Sequence, residues 1–382
     1  MRASYTGSTT HPPRVPTIVV DTTPLASGHG IRGIGRYLDG VVGALVREEP
    51  AFVEARVRFL VDAGQDPPAD DLPFITTTST RVRPQDLGWA VAALADRRAA
   101  RGLGSAWWHQ TDPMLPWSPV PRERTLTTAY DLIPLHEAAV WRAIRPHRRL
   151  LYRAYLGALQ KASGIVTISS DTAADLHRTL GIPPDRIRVV PPAIALPAPD
   201  APTALDPDAP LLLLVGVIDP HKRPELALEA LAALRRRTPG ATLAFVGPSP
   251  AARVEDLRRA AAALDVADAV AFCGRVPDEE LTALYRHGVL LAMSRIEGFG
   301  LPPVEAILAG GRTVAVPTPI YREVLGGAAT YAVSDQPAAI ADAVEDALTD
   351  PVSDPQRATL ATRFAPRASA ARLRAAYEEL TA

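Results

Sequence analysis

The sequence predicts an α/β protein of two doubly wound domains, each built on a parallel sheet, with a ligand cleft between them. Three observations predict it. Short apolar runs alternate with amphipathic, helix-patterned segments, as expected for strands buried on both faces. The chain has 382 residues, a length that two domains accommodate better than one. The alternation is broken once, at residues 191–210, where Pro191-Pro192 opens a run of further prolines among alanines and aspartates, the composition of a linker.

Taken in order, residues 1–16 are polar with scattered prolines and lack the apolar core of a signal peptide, so they read as a loose tail. The first domain, 17–190, opens with the buried strand Thr17-Ile18-Val19-Val20-Asp21. Further strands are expected at 57–61, 125–128 and 164–168, and Ser169-Ser170-Asp171-Thr172 supplies cap residues for a helix. Trp107, Trp108, His109 and Gln110 read as lying beyond a strand end, stacked on a ligand ring or gathered in a buried cluster. A short strand at 187–190 closes the domain. The second domain, 211–365, restarts with Leu211-Leu212-Leu213-Leu214-Val215 and repeats the pattern at 242–246, 270–273, 289–293 and 313–316. A last helix in 366–382, Pro366 to Leu380, has its proline at the first helical position. A ligand belongs between the domains, at the carboxyl ends of the strands.

Composition narrows the function classes. A formal net charge of −1 gives no global electrostatic case for nucleic acid. The single cysteine, Cys273, excludes an internal disulfide and a multi-cysteine metal site, which suits a reducing cytosol. No apolar run approaches bilayer length. The expectation is a cytoplasmic protein, at most peripheral at the inner face of the membrane. The basic, aromatic stretch 141–153 (Trp141 to Arg153) is either a solvated helix face or the contact for an anionic membrane or a phosphorylated acceptor.

The most informative segment is Glu297-Gly298-Phe299-Gly300-Leu301-Pro302-Pro303-Val304-Glu305. It follows an apolar strand and leads into a helix, so unpaired backbone N–H groups and a positive dipole end face one point, a geometry for phosphate. Two carboxylates eight positions apart flank that turn and point to a ligand with hydroxyls on either side of a phosphate, as in a nucleotide sugar. The segment resembles the Glu-x7-Glu signature of retaining, nucleotide-sugar-dependent glycosyltransferases of family 4. The resemblance implies the GT-B architecture, two Rossmann-like domains with the acceptor on the first and the donor on the second. It also implies that Glu297 contacts the donor sugar, Glu305 the ribose, and the backbone of Gly298, Phe299, Gly300 and Leu301 the sugar and phosphate oxygens. Two further stations match. At Val215-Gly216-Val217-Ile218-Asp219-Pro220-His221-Lys222-Arg223, Gly216 ends a strand and Lys222 would hold the diphosphate. Relatives place an arginine after the glycine, where this chain has Val217, and Arg223 or His221 could substitute. At Phe272-Cys273-Gly274-Arg275-Val276, backbone atoms of Arg275 and Val276 would meet the base, with Asp278 as the next helix's N-cap. Downstream, Tyr321 to Ala329 also matches, and Glu323 reads as a structural cap.

The first domain offers Gly28-His29-Gly30-Ile31-Arg32-Gly33-Ile34-Gly35-Arg36, a loop before a helix; by resemblance Gly33, Ile34 and Arg36 would approach the donor phosphate. In Tyr130-Asp131, relatives carry a histidine in place of Tyr130. Tyr130 either touches the sugar or belongs to the core; Asp131 orients sugar or acceptor, or caps a turn; His136 is a lesser candidate. The implied activity is transfer of a hexosyl group from a nucleotide diphosphate sugar to a hydroxyl acceptor (a saccharide, a lipid-linked saccharide or a natural product) with retention, by a front-face route needing no metal or cofactor. The alternatives are an epimerase or phosphorylase of the same fold, or a catalytically silent sugar-nucleotide binder. Donor base, sugar, acceptor and oligomeric state stay open.

Overall fold

The computed structural model describes residues 16–26, 33–62, 74–77, 105–113, 118, 120–196 and 205–382. In the first domain the elements run β1 (Ile18–Asp21), α1 (Gly33–Glu48), α2 (Pro50–Arg56), β2 (Val57–Asp62), β3 (Phe74–Thr77), β4 (Trp107–Gln110), β5 (Thr125–Ala129), α3 (Ile133–His136), α4 (Ala138–Ala143), α5 (Pro146–Lys161), β6 (Gly164–Thr167), α6 (Ser170–Leu180) and β7 (Ile187–Val189). Among the described residues they form one parallel sheet in the order β3-β2-β1-β4-β5-β6-β7. The order reverses direction between β1 and β4, and such a switch point is where open α/β sheets place ligands.

The second domain runs β8 (Leu211–Val215), α7 (Pro224–Arg235), β9 (Thr242–Val246), α8 (Ala251–Ala263), β10 (Val270–Gly274), α9 (Asp278–His287), β11 (Gly288–Ala292), α10 (Leu301–Leu308), β12 (Arg312–Ala315), α11 (Pro319–Leu325), β13 (Thr330–Tyr331), α12 (Pro337–Thr349), α13 (Asp354–Arg363) and α14 (Pro366–Leu380). Its sheet is again all parallel, in the order β10-β9-β8-β11-β12-β13. β11 is buried at every residue because helices cover both faces, whereas β10, at the edge, alternates between half-buried and exposed. The linker's residues 197–204, like the tail through residue 15, lie outside the described residues.

The segment Trp107–Gln110 corrects its sequence reading: it is a central strand, not a stretch beyond one. Its buried histidine is tolerated because both ring nitrogens find partners. The His109 ring sits between the Tyr377 hydroxyl at 2.7 Å and the Thr128 hydroxyl at 2.8 Å, and burial drives its imidazole down to about 3, keeping it neutral. Trp108 is packed against Val19, Leu60 and Ala106.

The chain crosses between domains more than once. Helix α14 packs along α1 of the first domain, where Arg374 pairs with Glu49 at 2.8 Å and Tyr377 stacks on Phe52. The Ile194 N–H donates to the Phe364 carbonyl at 2.8 Å, tying the linker's start to the end of α13. On the cleft side, Glu323 accepts from the Ser170 and Asp171 N–H groups at 2.8 and 2.7 Å, so a carboxylate of the second domain caps α6 of the first.

Candidate active site

The site assembles at the carboxyl end of β8 and β11. After β11 the chain turns through Ser294 and Glu297 into α10, with Gly300 as the residue before the helix. The Glu297 side chain is 12 % exposed; one carboxylate oxygen accepts from Lys222 Nζ at 3.0 Å and from Ser294 Oγ at 2.8 Å. Burial alone would raise its pKa, but the Lys222 charge, His221 and these hydrogen bonds outweigh it and hold the group below the usual carboxylate value. Glu297 is therefore ionised at neutral pH, an acceptor for hydroxyls.

Lys222 reaches it because of Gly216. That glycine ends β8 with φ +116°, and a Cβ there would lie 3.2 Å from the Lys222 Cε, in the path of the stem. Gly298 makes a closer approach still: a Cβ would stand 2.3 Å from the Tyr130 carbonyl oxygen of the other domain. The glutamate turn is thus seated directly on the end of β5, and the Thr172 hydroxyl donates to the Gly298 carbonyl at 3.3 Å.

Phe299 is buried, edge-on to Phe364 at 5.1 Å, and anchors the turn. The N–H groups of Phe299, Gly300 and Leu301 have no acceptor among the described residues. Pro302 and Pro303 carry no N–H, so those three amides and Val304 are the donors this helix start can present.

One helix turn pair further on, Glu305 is buried, accepts from the Tyr285 hydroxyl at 2.9 Å and faces Arg36 of α1 at 3.4 Å. Its pKa is raised, by burial first, against the opposing Arg36 charge and Tyr285 hydrogen bond. Arg36 also stands 3.8 Å from Asp278, so one guanidinium of the first domain spans the region beside the Arg275–Val276 turn. That turn, with Pro277, Asp278 and Glu279, lines an open cavity of about 720 Å³. Asp278 is the first residue of α9 and Pro277 occupies the cap, which corrects the N-cap expectation: the Asp278 side chain is 86 % exposed and binds no helix amide.

Two candidates fall elsewhere. Tyr130 belongs to the core: it is buried, meets Tyr37 edge-on at 5.6 Å, and its hydroxyl donates to the Thr111 carbonyl at 2.9 Å, so its one polar atom is committed away from any sugar. Arg223, in the left-handed region at φ 54°, pairs with Asp335 at 3.0 Å beside Arg295 and does not join Lys222. His221 does: its Nε2 lies 3.9 Å from Glu297. Asp131 stays at the site; its carboxylate accepts from the Ile133 N–H at 3.0 Å, and burial, partly offset by that bond and reinforced by Glu297 and Asp175, pushes it up to about 6. His136 instead joins α3 to α6 through Asp175. Gly33 and Ile34 open α1, while Gly28, Gly30 and the rest of 27–32 lie outside the described residues. Tyr285 and Ser294 escaped sequence reasoning: a tyrosine within a helix and a serine after a strand carry no spacing signal.

Two all-parallel α/β domains facing across a cleft, with a lysine and two glutamates at the strand ends of the second, define the GT-B class. The comparisons agree. A model of "Glycosyltransferase Family 4" matches residues 31–196, and one of "Glycosyl transferases group 1" matches residues 199–365. The chain belongs to the family-4-like glycosyltransferases. It is 34% identical over 186 residues to a D-inositol 3-phosphate glycosyltransferase of Nocardia farcinica, covering 45% of this chain and 40% of that protein. It is 36% identical over 196 residues to one of Acidothermus cellulolyticus, covering 45% and 43%. These alignments span about two fifths of the curated relatives' lengths. Among solved structures, the sucrose-phosphate synthase of Thermosynechococcus elongatus superposes with TM-score 0.72 at 21% identity, over 96% of this chain and 99% of that one. HepE of Anabaena, in complex with UDP and glucose, gives 0.64 at 14%, over 94% and 98%. At such identities these structures speak for the fold alone. Among the described residues no helix is long and apolar enough to cross a membrane.

Proposed function

We propose that this protein transfers a hexosyl group from a nucleotide diphosphate sugar to an acceptor hydroxyl with retention of the anomeric configuration. The observation that carries the reading is the pairing of Glu297 with Lys222 at 3.0 Å beneath a helix start with free amides, with Glu305 farther along the same helix. A sugar would donate its hydroxyls to the Glu297 carboxylate, its diphosphate would lie on Lys222 and the amides of 299–301, and its ribose on Glu305. Charge-assisted bonds of this kind orient a ligand strongly. That HepE has been captured with UDP makes a uridine nucleotide the first donor to try.

In the front-face route the C1–phosphate bond breaks and the C1–acceptor bond forms on the same face. The leaving phosphate oxygen takes the acceptor proton, and Lys222 with the helix amides stabilises the charge that grows on it. No separate base and no metal is needed. Closure of the domains excludes water, and the contacts of Gly298 on Tyr130 and Glu323 on α6 are those of a closed cleft.

The test is transfer from a panel of labelled nucleotide sugars by the wild type and by Glu297→Ala, Lys222→Ala and Glu305→Ala. Each lost charged contact should cost on the order of 1.5–3 kcal/mol, roughly ten- to hundredfold in rate or affinity. Undiminished transfer by all three variants would remove the assignment. Interconversion of a nucleotide sugar without any acceptor would replace it with an epimerase.

A further inference from the structure

Between the two domains lies a second cavity, of about 560 Å³, which Glu297, Lys222 and Glu305 do not line. Asp131 and His221 line it at the Glu297 end, Val140 and Ile144 form an apolar wall, and Arg145 and Arg148 stand among its lining residues. The basic stretch that contains these arginines is not uniform. Arg142 donates to the Ala138 carbonyl, Arg149 donates to the Ile144 and Arg142 carbonyls, and Arg149 and Arg153 lie over the Trp141 ring. Arg145 and Arg148 alone among these arginines have no carboxylate, carbonyl or aromatic-ring partner among the described residues, and they are the two that line the cavity. No acidic residue stands in the first turn of α5 to neutralise them.

His221 supplies the polar counterpart. Its side chain is 12 % exposed, its Nε2 faces Glu297, and its Nδ1 is buried without a hydrogen-bond partner. An unpaired buried nitrogen costs stability unless something bonds it. Burial lowers the imidazole pKa more than Glu297 raises it, so the ring is neutral and able to hydrogen-bond a hydroxyl.

We infer that this cavity is the acceptor site and that the acceptor carries an oxyanion of the phosphate type, held by Arg145 and Arg148 while His221 and Asp131 orient the reacting hydroxyl. The division of labour follows from chemistry. Guanidinium forks match phosphate oxygens, whereas the carboxylates of Asp131 and Asp219 would repel the anion and so set its orientation, hydroxyl inward. The inference rests on the transferase reading for the word acceptor, but the oxyanion preference is measurable without it.

The experiment titrates glucose 6-phosphate, glucose, a short-chain prenyl phosphate and the matching prenyl alcohol into the full chain, with and without a saturating nucleoside diphosphate. At least one phosphorylated probe should bind about tenfold or more tightly than its neutral counterpart, and which pair shows the preference separates a soluble source from a lipid one. The double variant Arg145→Ala/Arg148→Ala should lose that preference and keep nucleoside diphosphate affinity. Arg145→Lys/Arg148→Lys should retain part of it, and His221→Ala should raise KM for the acceptor. Equal binding of phosphorylated and neutral probes, or a preference that survives in the double alanine variant, overturns the inference. Failure of every nucleotide to bind the wild type would count against the donor reading and leave the oxyanion comparison intact.

Discussion

At the scale of single residues, burial decides which groups remain available for chemistry. Tyr130 and Glu297 lie close together in the fold, yet one is committed and the other is not. Tyr130→Phe would leave the Thr111 carbonyl unpaired, costing about 1–3 kcal/mol of stability with donor KM unchanged; Glu297→Ala should do the reverse, and a melting curve beside a kinetic assay separates the two. Asp21, buried at the end of β1, is pushed up to about 7 by burial, against the hydrogen bonds of Thr23 and with the help of Asp112. The folded protein thus holds that proton until about pH 7, while the unfolded chain releases it near the ordinary 3.8. The sign follows: stability from this group is greatest below 3.8, declines as pH rises, and is lowest above 7. Asp21→Asn, whose amide oxygen can still accept from Thr23, should raise Tm by several degrees at pH 8 and leave it unchanged at pH 4. An equal shift at both values would refute the burial account.

At the scale of elements, the glutamate turn and α6 act as one joint between domains. Gly298→Ala puts a methyl into the Tyr130 carbonyl, so the domains must part; transfer should fall at least tenfold while circular dichroism stays native. Glu323→Ala removes the side chain from the second domain that caps the first amides of α6, at a cost of about 1 kcal/mol. Because Ser169 still caps Thr172 from within the first domain, α6 should remain folded, and small-angle scattering should report a wider cleft. What was legible in the sequence divides along the same line. Strands rich in Leu, Val and Ile, such as β8 and β11, announce themselves because their partners are interchangeable apolar surface. Trp107–Gln110 does not, because its buried His109 is satisfied by Tyr377, far along the chain, and by Thr128. Glu297, Glu305 and Lys222 could be read from motifs that resemble those of a known family; the Arg223–Asp335 pair, which removes Arg223 from the site, depends on a loop more than a hundred positions away. The two-residue β13 is too short for any pattern to register.

For the whole molecule, the last helix completes the core of the first domain from the end of the second. Removing residues 366–382 strips Tyr377 and Leu373 from the first domain's core and leaves His109 with one partner. The truncated chain should lose the first domain's cooperative melting transition while the second domain's persists, as differential calorimetry would show. The central claim, that a nucleoside diphosphate sits between Lys222 and Glu305, is tested most directly by calorimetric titration of nucleoside diphosphates into the wild type and into Lys222→Ala, Glu305→Ala and Glu297→Ala. The account expects one nucleotide to bind at one site per chain, the first two variants to weaken it by roughly ten- to hundredfold, and Glu297→Ala to bind it nearly as the wild type does. No binding by any nucleotide, or equal binding by all four proteins, would contradict it.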